Sequence, residues 1–386
     1  MTTSTAGQAS ALTQALRQID ALLPDFASSF PGDTTEGQHY QPRQLDGLAA
    51  GANVGWTTGF WTGQLWLAYA ATRAERYKQA ATVQTASFMR RLAHRDDLGN
   101  HDIGFLYQLS CIPADVLAAV PGARKCAIEA AELLLQRFLP GAGVIQSWGT
   151  PDDPQQRGRV IIDGAMNLPL LHWAARATDR AEFRHAAASH LERMRQHLVR
   201  PDGATYHTVH LDPVDGSALR ISTHQGLSDQ SCWARGQAWA IYGFALNHRQ
   251  LPELKLLHTA IKTADYFLAH LPADGIALWD LSLAHDSGEP RDSSAVAIAV
   301  CGLQEIVAQL EPGSPRQQHY AQQGQRLLDA LITHCAGARP ACDGLLRHGV
   351  YHRLAEAGVD EATLWGDYYY LEALMRAERN WTPYFA

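Results

Sequence analysis

Positive charge is scarce in this chain and nowhere forms a block: 32 Lys and Arg stand against 39 Asp and Glu, for a formal net charge of −7. Polyphosphate backbones are neutralised by a basic patch or stripe, so nucleic acid is not an expected partner. A small anion stays open as a ligand, because one or two buried Arg or His residues hold a single carboxylate whatever the net charge. Long apolar runs are also missing. None approaches the roughly 18 residues that a membrane span requires, and the opening MTTSTAGQAS has neither the basic nor the apolar stretch of a secretory signal. No membrane association is expected. The six cysteines (Cys111, Cys126, Cys232, Cys301, Cys335, Cys342) form no CxxC pair and no regular framework. They read as small core residues, and a reduced, cytoplasmic location is expected. No Pro/Gly/Ser-rich linker divides the 386 residues, which predicts a single domain over 1–386. A GxSxG elbow, a P-loop and a GxGxxG followed by an acidic residue are likewise absent.

What the chain does have is helical periodicity. Apolar residues recur at helical spacing almost throughout, with little strand-type alternation. The spacing predicts twelve helices, at 9–23, 57–73, 75–93, 103–118, 122–138, 163–176, 179–199, 231–248, 252–270, 293–310, 315–335 and 363–379. Even-numbered helices open on Gly-, Asp-, Trp- or Ser-rich motifs: GFWTGQLW, HDIGFLY, IDGAMNLPLL, SCWARGQAW, DSSAVAIAV and WGDYYYLEAL. Odd-numbered helices are more charged and ordinarily amphipathic. Links from even to odd are only a few residues long, whereas links from odd to even run from about 9 to about 33 residues.

Six helical hairpins closed into a ring satisfy this alternation: an all-α fold, the (α/α)6 barrel. Even helices would form an inner wall buried on most sides, and odd helices an outer wall with one wet face. The long links and the amino ends of the inner helices then crowd one rim. Asp-Gly turns in PDGATYH (201–207), ADGIALW (273–279) and CDGLLRH (342–348) predict short β-hairpins there. A superhelical solenoid is the rival architecture, and the lack of a regular repeat argues against it.

On such a rim the helix starts converge on one cleft. Trp56, Trp61, His101, Asp102, Trp148, Asp163, Asn167, Arg235, Gln237, Trp239, Asp292, Ser293, Ser294 and Asp367 would meet there, joined from the links by His207, His210, His224 and Gln225. Tryptophan faces with carboxylates and amides suit a sugar. An Asp at a helix start is commonly an N-cap; Asp292 before Ser-Ser reads as one, and Asp367 as a residue that caps or orients the last helix. Asp102 and Asp163 sit beside small and apolar residues, where desolvation raises a carboxyl pKa as a general acid requires. Their context leaves cap and acid both open. His207, His210 and His224 lack the i, i+4 spacing of a helical zinc motif, so no metal or other cofactor is expected. Cys232 near His224 has the apolar setting of an inert core thiol.

The motifs HDIGFLY, IDGAMNLPLLHWA, THQGLSDQSCWARGQAW (223–239) and DSSAVAIAVCGL, in this order, resemble the unsaturated glucuronyl hydrolases of glycoside hydrolase family 88, over about Trp56 to Leu374. The resemblance implies a hydrolase that releases a terminal 4,5-unsaturated glucuronic acid from lyase-generated glycosaminoglycan fragments. It implies hydration of the C4=C5 bond, with collapse of the resulting hemiketal, rather than attack at the anomeric carbon. By the same resemblance Asp163 is the general acid/base and Asp102 the second essential carboxylate. Trp56, His101, Trp148, His207, Gln225, Arg235 and Trp239 are then substrate-binding residues. Arg235, with its fixed fork, would grip the uronate carboxylate. Members preferring sulfated chondroitin fragments carry small hydroxyl residues near the carboxyl end, where this chain has only Thr382. The expected partner is thus a small unsaturated oligosaccharide, bound by a monomer or weak homodimer. Rivals are an unsaturated rhamnogalacturonyl hydrolase, a sugar epimerase using paired histidines, and a non-catalytic carbohydrate-binding barrel.

Overall fold

A computed structural model describes residues 4–150 and 152–385. Among them run twelve α-helices. Six form an inner ring: α2 (Thr58–Thr72), α4 (Ile103–Ala118), α6 (Pro169–Thr178), α8 (Ala234–His248), α10 (Ser293–Gln309) and α12 (Leu364–Arg379). The outer six are α1 (Ser4–Phe26), α3 (Glu75–His94), α5 (Ala123–Leu135), α7 (Ala181–Leu198), α9 (Leu256–Ala269) and α11 (Pro315–His334). α2 packs on α4 and α4 on α6, the 3-10 turn Ile162–Met166 ahead of α6 packs on α8, and α8, α10 and α12 follow in turn, with α12 packing on α2 to close the ring. This is the (α/α)6 barrel. No helix among the described residues is long and apolar enough to cross a membrane.

Burial separates the two layers as the sequence pattern requires. Every residue of α8 from Ala234 to Asn247 is buried. In α3 burial falls instead on Tyr77, Ala80, Ala81, Gln84, Thr85, Phe88, Arg91 and Leu92, the single stripe of a surface helix. Inner helices also approach one another closely. A Cβ at Gly59 would meet the Phe105 carbonyl of α4 at 2.5 Å, and one at Gly302 would meet Ile241 of α8 at 2.7 Å. Larger residues at either point would push the ring apart.

Three boundaries differ from expectation in ways that bear on the site. The inner helix expected over 163–176 begins as a 3-10 turn, Ile162–Met166, and becomes α-helical only at Pro169. Proline lacks the N–H that would continue the hydrogen bonds of a preceding turn but suits the first turn of a new helix. Asp163 is therefore held in a tight turn. The helix expected from 231 starts at Ala234. That expected from 252 opens with a 3-10 turn, Pro252–Leu254, and resumes at Leu256 after Lys255 takes a left-handed φ of 53°.

Short antiparallel hairpins do occupy the rim, displaced from the Asp-Gly segments. They are β1 (Phe138–Leu139) with β2 (Val144–Ile145), β3 (Arg159–Ile161) with β4 (Thr208–Leu211) and β5 (Ala218–Ser222), and β6 (Gly349–His352) with β7 (Ala357–Glu361). Gly203 and Gly275 make the expected left-handed turns, with φ of 98° and 80°. Their flanks, like those of 342–348, form only isolated bridges such as Val199 with Thr205.

Candidate active site

The amino ends of the inner helices and the rim loops enclose a cleft of about 340 Å³, within the range of small-molecule sites. Seven residues expected to bind or transform substrate line it: Trp56, Asp102, Trp148, Asp163, Gln225, Arg235 and Trp239.

The two carboxylates come from different elements, and one loop registers both. Ser147 accepts the His101 backbone N–H on its carbonyl at 2.8 Å and the Ile161 N–H on its hydroxyl at 3.0 Å. Asp102 follows His101 directly, and Asp163 stands two residues beyond Ile161. Across the ring, Asn167 Oδ1 accepts the Phe105 N–H at 2.8 Å, and a Cβ at Gly104 would stand 2.4 Å from Asn167 Cα. The start of α4 and the 3-10 turn are thus pinned face to face. One oxygen each of Asp102 and Asp163 and a ring nitrogen of His101 fall within 4.8 Å of one another. A single sugar ring can touch both acids.

This setting controls their protonation. Burial pushes Asp163 up to about 7, opposed by the positive charges of Arg235 and Arg159 and by backbone N–H groups. Asp102 rises well above the usual carboxylate range, first through burial and then through the Asp163 charge. The Asn167 amide acts against that rise, although its Nδ2 makes no well-formed hydrogen bond. Two such carboxyls titrate as a pair and retain a proton near neutral pH. Asp163 Oδ1 is buried beside His101 without a hydrogen-bond partner, while the side chain keeps 19% of its surface exposed and lines the cleft. The exposed part of the carboxyl can exchange a proton with a ligand.

His101 Nε2 lies 3.4 Å from Asp163 Oδ1 and 3.6 Å from Asp102 Oδ1. The ring is 2% exposed and stands behind the acids rather than facing the cleft. Burial holds it neutral, its pKa well below the usual value. These three residues are the one group of convergent His, Cys, Asp or Glu among the described residues; His207, His210 and His224 do not converge. A cation would need both carboxyls deprotonated, and their burial favours the proton instead.

Arg235 is stapled by Asp292, by the Val350 carbonyl and by the Tyr351 carbonyl. Gln225 Nε2 also donates to Tyr351, at 2.8 Å. His207 lies one layer below the cleft, its ring 4.4 Å from that of Trp233. Its Nδ1 accepts the backbone N–H of His224 at 3.2 Å, which fixes the 223–226 turn. Trp56 stacks on Trp365 at 5.1 Å and donates to the Tyr351 hydroxyl. Trp148 carries the Arg159 guanidinium 3.9 Å above its ring and meets His224 edge-on.

Other expected members turn elsewhere. Trp61 donates to the Phe26 carbonyl in the α1 interface. Gln237 bonds the carbonyls of Gly203 and Thr263, and His210 bonds Ser222 across the β-sheet. Asp292 caps α10 through the Ser294 N–H, and Ser294 Oγ accepts from Trp365. Ser293 is buried beside them. Asp367 accepts the N–H groups of Leu345 and Leu346 and the Tyr40 hydroxyl, so it orients a rim loop. Cys232 is buried, and burial lifts its thiol to about 12. Thr382 borders a separate cavity with Arg376 and Trp381, at the carboxyl ends of the inner helices. His224, expected there from the sequence, lines the cleft as well, and Gly55, Asp97, Asn100, Trp233, Tyr351, His352 and Ala357 complete it. Of these, Trp233 belongs to the SCWARGQAW motif; Tyr351 and His352 lie on β6, whose short pattern gives no signal of its own.

Comparison with known proteins places the chain. The family model described as Glycosyl Hydrolase Family 88 matches residues 24–379. An unsaturated glucuronyl hydrolase of Bacillus sp. (strain GL1) is 45% identical over 334 residues, 86% of this chain and 89% of that protein. An unsaturated chondroitin disaccharide hydrolase of Streptococcus pyogenes serotype M1 is 39% identical over 97% of this chain and 92% of its own length. The crystal structure of the Bacillus sp. GL1 enzyme, described as responsible for the degradation of glycosaminoglycan, superposes with a TM-score of 0.92 at 42% identity, covering 98% of each chain. The chain belongs to glycosyl hydrolase family 88.

Proposed function

We propose that this enzyme releases the terminal 4,5-unsaturated glucuronic acid from lyase-generated glycosaminoglycan oligosaccharides, unsaturated chondroitin or hyaluronan disaccharides in the first place, by hydrating the C4=C5 double bond. The observation that carries this is the Asp163 carboxyl: largely buried, paired with Asp102, bordering the cleft and poised at about 7. An acid of that strength protonates carbon near neutral pH.

Asp163 gives its proton to C4, and positive charge develops on C5 and the ring oxygen. The resulting carboxylate then takes a proton from the water that adds at C5. The product is a hemiketal that opens and expels the remaining sugar. Asp102, within reach of the same ring, orients the sugar and steadies the developing charge. Trp56 and Trp148 offer faces to the pyranose, Trp239 packs beneath them in the cleft floor, and Gln225 offers a polar contact. Arg235 places a fixed positive charge beside the uronate carboxylate. His101 and His207 hold the acids and the 223–226 turn from behind. No metal or other cofactor takes part.

The whole chain, residues 1–386, acts as one catalytic domain. A monomer or weak homodimer suffices, since one chain supplies all the cleft-lining residues named above. A reducing, cytoplasmic setting suits six free and buried cysteines.

The test pairs an unsaturated disaccharide with the same disaccharide reduced at C4=C5, with a metal chelator present. Hydration predicts cleavage of the first and none of the second. Comparable cleavage of both would mean attack at the anomeric carbon, and loss of activity on chelation would put a metal into the reaction.

A further inference from the structure

The geometry around His101 bears on which of its ring nitrogens carries the proton. Neutral imidazole has one donor and one acceptor nitrogen. Both nitrogens of His101 are buried without a well-formed hydrogen bond to another protein group. Nε2 faces the two catalytic carboxylates, and Nδ1 faces Gly164 and, beyond it, His190. A Cβ built on Gly164 would lie 3.4 Å from His101 Nδ1 and 3.0 Å from His190 Nε2. Both nitrogens therefore border the same small space, left open by glycine.

His190 belongs to the outer helix α7 and takes no part in lining the cleft. Its Nδ1 accepts the backbone N–H of Ile145 on β2 at 3.0 Å. That donor is fixed by the chain, so the Nδ1 lone pair is committed and neutral His190 carries its proton on Nε2. Burial holds His190 down to about 3. Burial and the nearby charges of Arg137 and Arg159 hold His101 down as well. Asp102 and Asp163 are the acidic groups facing His101.

We propose that His190 is a positioning residue for the catalytic pair: its Nε2–H is directed at His101 Nδ1 across the space beside Gly164, which fixes His101 as the Nε2–H tautomer and turns one N–H donor toward Asp163 and Asp102. The order then runs from the Ile145 N–H through His190 and His101 to the carboxylates. A donor at that position stabilises the Asp163 carboxylate that forms once C4 is protonated. The other tautomer would turn a lone pair toward the same oxygens and oppose their ionisation. This inference rests on Asp163 as the acid.

The decisive measurement is nitrogen-15 NMR of the histidine rings in the unliganded full chain, at neutral pH. A protonated Nε2 and an unprotonated Nδ1 on His101 are expected. A protonated Nδ1 would overturn the proposal whether or not any variant folds. In parallel, His190→Phe is expected to lower kcat on the unsaturated disaccharide by about 10- to 100-fold, the scale seen when a group orienting a histidine is lost. KM should stay within about twofold, and the alkaline limb of the rate profile should move upward because the carboxylates lose their donor. His190→Gln keeps an acceptor for Ile145 and a donor for His101, and should restore most of the rate. A folded His190→Phe with unchanged kcat and pH profile would reduce His190 to a packing residue. Should Asp163→Asn prove active, the acid assignment fails, while the tautomer read without substrate stands or falls by itself.

Discussion

Arg235 Nη1 meets Asp292 Oδ2 at 3.1 Å inside the barrel wall, with 1% of the arginine side chain and none of the aspartate exposed. Asp292 spends its other oxygen capping α10, while the guanidinium lies 4.5 Å from the Trp233 ring and 4.9 Å from the Trp365 ring. The cation that borders the cleft is thus held by the helix start it stabilises. Removing it exposes the cost of burying Asp292 alone.

Arg235→Met is expected to lower folding stability by about 3–5 kcal/mol, the usual result of stranding a buried charge, measured by denaturant unfolding. Arg235→Lys retains the charge but cannot serve Asp292 and two carbonyls with one flat fork. Its KM should rise about tenfold. An unchanged KM would mean that Arg235 does not contact the uronate carboxylate.

A second expectation concerns pH. The active form holds a proton on Asp163, so kcat should fall as pH rises through about 7. The same shift costs stability. Because the folded-state pKa lies above the ordinary carboxyl value of 3.8, the unfolded chain ionises first. The penalty is absent below that value, grows with pH and is complete above about 7. Asp163→Asn should therefore be more stable than the wild type by about 1–3 kcal/mol at pH 8, with the gap closing toward pH 4. A variant of equal stability at both pH values would mean that the acid is not strained by its setting.

The tryptophans divide by burial. Trp148 is half-buried at the cleft mouth, so Trp148→Ala should raise KM by about 5- to 20-fold, roughly 1–2 kcal/mol of stacking, with little change in unfolding midpoint. Trp239 is 1% exposed and packs on Phe105 and Tyr369. Its alanine variant should lose about 3–5 kcal/mol of stability to the cavity it leaves. Calorimetry beside kinetics separates the two outcomes.

The ring was legible because burial on all sides and burial on one side leave different periodicities, as α8 and α3 do. The convergence of Asp102 and Asp163 followed from helix starts sharing a rim. Local chemistry blurred the detail. Asp163 lies in a 3-10 turn because Pro169, not the apolar period, sets where α6 begins. Tyr351 and His352 reach the cleft from β6, whose pairing partner is set by tertiary contacts. Trp61 and Gln237 sit at helix starts like the true lining residues but point from another side of the helix, Gln237 being two residues from both Arg235 and Trp239, so they face α1 and the loop at Gly203. His190 gave no signal at all: within an amphipathic outer helix it reads as an ordinary buried residue, and only its distance to Gly164 marks it.

The central claim is tested most directly by following the ultraviolet absorbance of the C4=C5 bond in an unsaturated chondroitin or hyaluronan disaccharide, with wild type and Asp163→Asn side by side. Wild type should abolish the absorbance, and the variant should be slower by at least about 100-fold, the lower end for loss of a general acid. Cleavage with the absorbance retained, or equal rates for the two proteins, would contradict hydration by Asp163.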